Sequence, residues 1–134
     1  MAFFSNAEQL YACAQALFER IQQVEPGAAD QITFARLVIC FRCSEPTAEI
    51  TINGRHRPLQ TIFGPSNVRP ELDVELMGDT LHQILLGQLN LKKAVATRLL
   101  KVKGPVWKTA ALYDLFERGQ TLYPQILREK GLTP

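Results

Sequence analysis

Between Ile32 and Met77 the period changes to two: Ile32 to Cys43 is dense in β-branched and aromatic residues, and alternation recurs in Ala48 to Asn53 and Leu72 to Leu76. Period two is the signature of strands with one buried face. Leu37, Ile39 and Phe41 form one apolar face, while Phe34, Arg36, Val38, Cys40 and Arg42 form a wetter one. Ser44-Glu45-Pro46 makes a turn, after which Ala48, Ile50 and Ile52 alternate with Glu49, Thr51 and Asn53. Asn53-Gly54 then reads as a hairpin turn, since both residues tolerate positive φ. A returning strand is expected from about Pro58 to Phe63, and Leu72, Val74 and Leu76 mark a fourth strand beyond the loop at Gly64-Pro65-Ser66-Asn67. Short connections imply an antiparallel meander.

Helical period brackets this region. Ser5 and Glu8 stand at capping-box spacing, followed by Leu10, Ala14, Leu17, Ile21 and Val24 on one stripe, with Glu25-Pro26-Gly27 as terminator. Asp79 is placed to cap a short helix carrying Leu81, Ile84 and Leu85 and closed by Gly87; Asn90 caps another with Leu91, Ala94 and Val95. Leu99 to Lys103 alternates as a fifth strand, and Gly104-Pro105 opens a long helix through Gly119, with Trp107, Ala111, Leu112, Leu115 and Phe116 on its apolar face. Pro124 is expected to separate it from a final helix with Ile126 and Leu127. Strands and helices with one apolar face each imply a two-layer α+β fold: a five-stranded, mostly antiparallel sheet covered on one face by helices, as a single domain over residues 1–134.

The chemistry-bearing patterns are sparse. Three cysteines make no disulfide framework, and no apolar run is long enough for a membrane span, so a cytoplasmic location is expected. Cys40-Phe41-Arg42-Cys43 lies on a strand, where positions i and i+3 face opposite ways, unlike a redox or zinc pair. His56, between two arginines, is read as solvated, and His82 as a helix residue beside Leu81. Neither has a nucleophile or carboxylate at motif spacing. No catalytic residue, metal or cofactor is expected, and the chain is read as a non-enzyme.

Charge is uneven although the net is only +2. Thr80 to Tyr113 contains no acid, yet holds Lys92, Lys93, Arg98, Lys101, Lys103 and Lys108. Lys92, Lys93, Arg98 and Lys108 are the candidate contacts to an anionic membrane or head group. Nucleic acid is not expected, because no aromatic platform interleaves with the lysines.

The run Leu86-Gly87-Gln88-Leu89-Asn90-Leu91-Lys92-Lys93-Ala94, followed by Leu100-Lys101-Val102-Lys103-Gly104, resembles the signature half of the sterol carrier protein type 2 family. Asp73-Val74-Glu75-Leu76-Met77 and Asn53-Gly54 stand in the expected order before it. Leu91 replaces a family proline, Arg98 a family glycine, and Pro105 a family Asp or Asn. The resemblance implies a bacterial standalone member with an apolar tunnel between sheet and helices. It would bind or transfer a lipid-like ligand (sterol, fatty acid, acyl-coenzyme A or isoprenoid) without catalysis. The alternative is an accessory module, for example in lipid or ubiquinone biosynthesis, whose groove takes a protein partner or a second copy. The expected lining is Leu37, Ile39, Phe41, Ile50, Ile52, Leu85, Leu89, Val95, Leu100, Val102, Leu112 and Phe116.

Overall fold

The computed structural model describes residues 3–25, 27, 30–56, 59–105 and 108–132. Helix α1 (Ala7–Val24) and a short α2 (Asp30–Phe34) precede strands β1 (Val38–Ser44), β2 (Ala48–Asn53), β3 (Gln60–Phe63) and β4 (Leu72–Met77). Helices α3 (Gly78–Leu85) and α4 (Leu91–Ala96), strand β5 (Leu100–Lys103) and helix α5 (Thr109–Glu129) complete the order. The five-stranded sheet runs β3-β2-β1-β4-β5. Three of its four pairings are antiparallel, and β1 with β4 is parallel.

That parallel pair corrects the expected meander. Alternation sets which face a residue takes and says nothing about strand direction. Residues 64–71 carry the chain from β3 past β2 and β1 to the far side of the sheet, three strand spacings of ~4.8 Å each. Eight residues, reaching up to ~3.3 Å apiece, cover this without a helix.

The expected apolar face is the helix-covered one. Ile39, Phe41, Ile50, Ile52, Leu72, Val74 and Leu100 are all at most 4% exposed. Opposite lies an ionic face, where Arg42 reaches both Asp73 (2.9 Å) and Glu49, and Lys103 approaches Glu75 (3.9 Å). Val38 and Cys40 on that face are nevertheless buried, because β1 is the central strand and its neighbours' side chains close over it.

Several local expectations change, beginning with the strand face expected at Phe34, which lies in α2, so that β1 starts only at Val38. Asn6, not Ser5, caps α1: its side chain accepts from Gln9 N (2.9 Å), and Gln9 Oε1 accepts from Ser5 N (2.8 Å). An Asn–Gln pair thus does the capping one residue later than Ser5–Glu8 would. Asn53-Gly54 is no two-residue turn, since Asn53 pairs with Gln60 across residues 54–59. Gly54 instead donates to Leu37 O (2.8 Å) where the chain crosses the end of α2. Pro58 of the expected returning strand lies outside the described residues, as does Trp107. Finally α5 starts at Thr109 and runs through Pro124 as one helix. The missing donor at Pro124 is outweighed by burial, because Tyr123, Ile126 and Leu127 around it are at most 1% exposed. Gly119 lets α5 approach its neighbours: a Cβ there would stand 3.1 Å from Leu85 and 3.5 Å from Leu17.

The Asn90 cap of α4 forms as expected, accepting from Lys92 N and Lys93 N (2.8 and 3.2 Å). Asp79 does not cap α3; it accepts the Phe3 N–H (2.7 Å) and so ties the N-terminal segment to that helix.

Candidate functional site

Between the helix layer and the sheet lies an apolar cavity of about 50 Å³. Its largest wall is α1, through Leu10, Cys13, Ala14, Leu17, Phe18 and Ile21. The sheet contributes Phe41 and Ile50, α3 contributes Leu81 and Leu85, and α5 contributes Leu115, Phe116 and Tyr123. Phe4 closes the remaining side. No lining residue is charged, so water gains few hydrogen bonds inside and hydrocarbon loses nothing.

Of the lining expected from sequence, the structure brings Phe41, Ile50, Leu85 and Phe116 together around this space. Leu37, Ile39, Ile52, Leu100 and Leu112 are at most 1% exposed and pack into the core away from it. Leu89 and Val102 are half-buried outside it, and Val95 projects 36% exposed from α4. Alternation marks residues that leave water; it does not mark which of them stop short of touching. The wall that sequence reasoning missed is α1. A legible signal was there, for Cys13 and Ala14 interrupt the Leu10–Leu17–Ile21 stripe with small side chains, where neighbouring atoms cannot fill the gap.

One polar pair backs the cavity. The hydroxyl of Tyr123 lies 2.7 Å from His82 Nδ1, and the His82 ring stacks on Phe3 with centroids 3.6 Å apart. His82 is 7% exposed, a buried residue rather than a surface one. Burial lowers its pKa, against a smaller opposing pull from Asp79. Burial likewise pushes the Tyr123 hydroxyl up. A depressed imidazole pKa makes the unfolded chain bind the proton that the folded one refuses. Stability should therefore hold at neutral pH and decline as pH falls below the ordinary imidazole value near 6.5. Thermal midpoints measured between about pH 7 and 5 should fall more steeply for the wild type than for His82→Gln; equal slopes would contradict the assignment.

The cysteines are inert by the same logic. Cys40 faces the ionic side and Cys43 the helix side, both buried, and burial pushes the Cys43 thiol up to about 12. A thiol so shifted yields almost no thiolate at neutral pH. Among the described residues no group of three or more His, Cys, Asp or Glu is placed to hold a metal ion.

The basic residues separate into two sets. Lys108 is drawn into the fold by Glu71, which also meets Arg55 (3.2 Å), and the Lys108 ammonium holds the Glu71 carboxyl below its usual range. It is thus half-buried and committed, unlike Lys92, Lys93 and Arg98, which stand exposed. Arg98 has φ +63, the left-handed conformation in which glycine would be unstrained. That explains a glycine in the related pattern.

Residues 18–117 match the family described as the SCP-2 sterol transfer family. The chain belongs to the SCP-2 sterol transfer family. Solved structures of the same architecture include sterol carrier protein 2 from Yarrowia lipolytica in its apo form, at 23% identity over 69% of this chain and 76% of that one, TM-score 0.56. The sterol carrier protein domain 2 of Helicoverpa armigera is similar over 87% and 90% at 15% identity, TM-score 0.68. A ubiquinone synthesis protein, UbiJ-SCP2, is similar over 84% and 93% at 11% identity, TM-score 0.60. At such identities the likeness is one of fold. No curated protein matches the chain. The α+β sheet with helices on one face is thus the frame that this SCP-2 family chain shares with those structures.

Proposed function

We propose that the chain binds and carries a hydrophobic, lipid-like molecule in the space between α1, α3, α5 and the sheet, without catalysing a reaction on it. The observation that carries this reading is a cavity walled by fourteen residues, none of them charged, in a chain of the SCP-2 family. Each methylene taken out of water there is worth about 0.8 kcal/mol, so ten of them would supply about 8 kcal/mol of gross driving force. Sterols, fatty acyl chains and isoprenoids all offer that much.

At about 50 Å³ the cavity is far below the roughly 300 Å³ at which drug-sized ligand pockets begin. Uptake therefore requires α1 to separate from the sheet, with the guest's hydrocarbon packing in the room so opened. Among the described residues one side-chain hydrogen bond ties α1 to the sheet, Tyr11 Oη accepting from Glu49 N (3.0 Å), whereas Arg20 with Glu129 (2.7 Å) and Glu25 with Arg118 tie it to α5. No helix among the described residues is long and apolar enough to cross a membrane. Three free, buried thiols fit a reducing compartment such as the cytoplasm.

Competition against a fluorescent fatty-acid analogue tests the reading. Unlabelled long-chain lipids should displace the analogue from the wild type. Ala14→Phe, which fills the space from α1, should lower affinity at least tenfold while costing about 1–3 kcal/mol of stability. Undiminished uptake by a folded Ala14→Phe variant would place the ligand elsewhere. A wild type that binds no lipid and forms a stable dimer would favour the accessory-module alternative.

A further inference from the structure

Large apolar side chains are seldom exposed among the described residues, yet three of the five that are, Met77 (40%), Val95 (36%) and Leu99 (46%), gather where β4 and α4 end and β5 begins. Met77 and Leu99 line one open cleft with Arg98 and Lys101. Val95 stands one turn away, its carbonyl accepting the Arg98 N–H (3.2 Å). Lys92 and Lys93 are exposed on the same short helix. Of the acids at this corner, Glu75 in the cleft approaches Lys103 (3.9 Å) and Glu49 and Asp73 hold Arg42, while Glu45, next to the cleft residue Ser44, is exposed, so the cations outnumber the one acid outside these pairs. Among the described residues Lys92, Lys93, Arg98 and Lys101 enter no ion pair.

We infer that this corner is the surface by which the chain docks on an anionic phospholipid bilayer. Cations at the phosphate level with aliphatic side chains among them match the two attractions a bilayer surface offers, head-group charge and the acyl boundary. The exposed apolar residues at the corner are flexible aliphatics, which suit acyl chains better than base stacking. Arg98 keeps a left-handed backbone that a side chain strains to adopt, as residues at interaction sites often do. The corner also adjoins the cavity, for Thr80 lines the cleft and Leu81, the next residue of α3, lines the cavity. A docked bilayer would thus lie against a wall of the proposed lipid site.

Sedimentation with phosphatidylcholine vesicles, with and without phosphatidylserine, tests this on the full chain. Wild type should partition onto the serine-containing vesicles at least tenfold more strongly. At about fivefold per cation, Lys92→Gln, Lys93→Gln and Arg98→Gln together should lower partitioning on the order of a hundredfold. Val95→Ser with Leu99→Ser should lower it about tenfold; if that pair fails to melt cooperatively, Leu99→Gln alone serves. All variants should keep wild-type lipid displacement in solution, so a failure here is separable from a failure of the cavity. No preference for phosphatidylserine, full binding in either variant, or a tight acidic-protein complex in place of vesicle binding would overturn the inference.

Discussion

Leu100→Asp should lose on the order of 4 kcal/mol of stability, enough to leave much of the population unfolded if the chain has the 5–15 kcal/mol of an ordinary domain. Leu100 is 1% exposed and sits opposite Leu76, on the face that packs beneath the helices. A carboxylate there would meet no donor or cation, because its neighbours across the sheet are aliphatic. Leu100→Ala separates the two contributions, since it removes volume without adding charge and should cost about 2–4 kcal/mol. Urea unfolding with an unchanged slope measures both. A Leu100→Asp midpoint within about 1 kcal/mol of wild type would show that the side chain is not where β5 places it.

Gly54→Ala should cost about 2–3 kcal/mol, more than an ordinary turn glycine. The added methyl would stand 2.4 Å from Leu37 O and 2.6 Å from Ile32 O. Both are backbone atoms that cannot rotate away, and Leu37 N also donates to Ile32 O (3.0 Å), locking the crossing. Were Gly54 merely a hairpin residue, the penalty would be about 1 kcal/mol or less. A small shift on urea unfolding would therefore restore the hairpin reading.

Much of the frame was legible because it rests on local pattern. Ala48 to Asn53 alternates so regularly that β2 appears with the same bounds in sequence and structure. The Asn90 cap and the break at Gly104 are likewise local chemistry. What stayed hidden depends on distant partners. The parallel pairing of β1 with β4 follows from a chain excursion around the sheet, and the continuity of α5 through Pro124 follows from burial of Tyr123, Ile126 and Leu127. The same distinction governs the cavity. Phe41, Ile50, Leu85 and Phe116 were legible as apolar, and so were Ile39 and Leu112, but only packing decides which of them border space. The helix residues expected in the lining, Leu85, Leu89, Val95, Leu112 and Phe116, all lie in the C-terminal half, whereas α1 supplies the largest share of the wall.

Lipid carriage turns on whether the space beneath α1 can swell to hold a hydrocarbon guest. Native mass spectrometry of the purified chain, before and after mixing with long-chain lipids, asks this most directly. The expected result is one lipid mass per chain in the wild type and its loss in Ala14→Phe. Bare chain at every lipid concentration, with the protein folded, would contradict it.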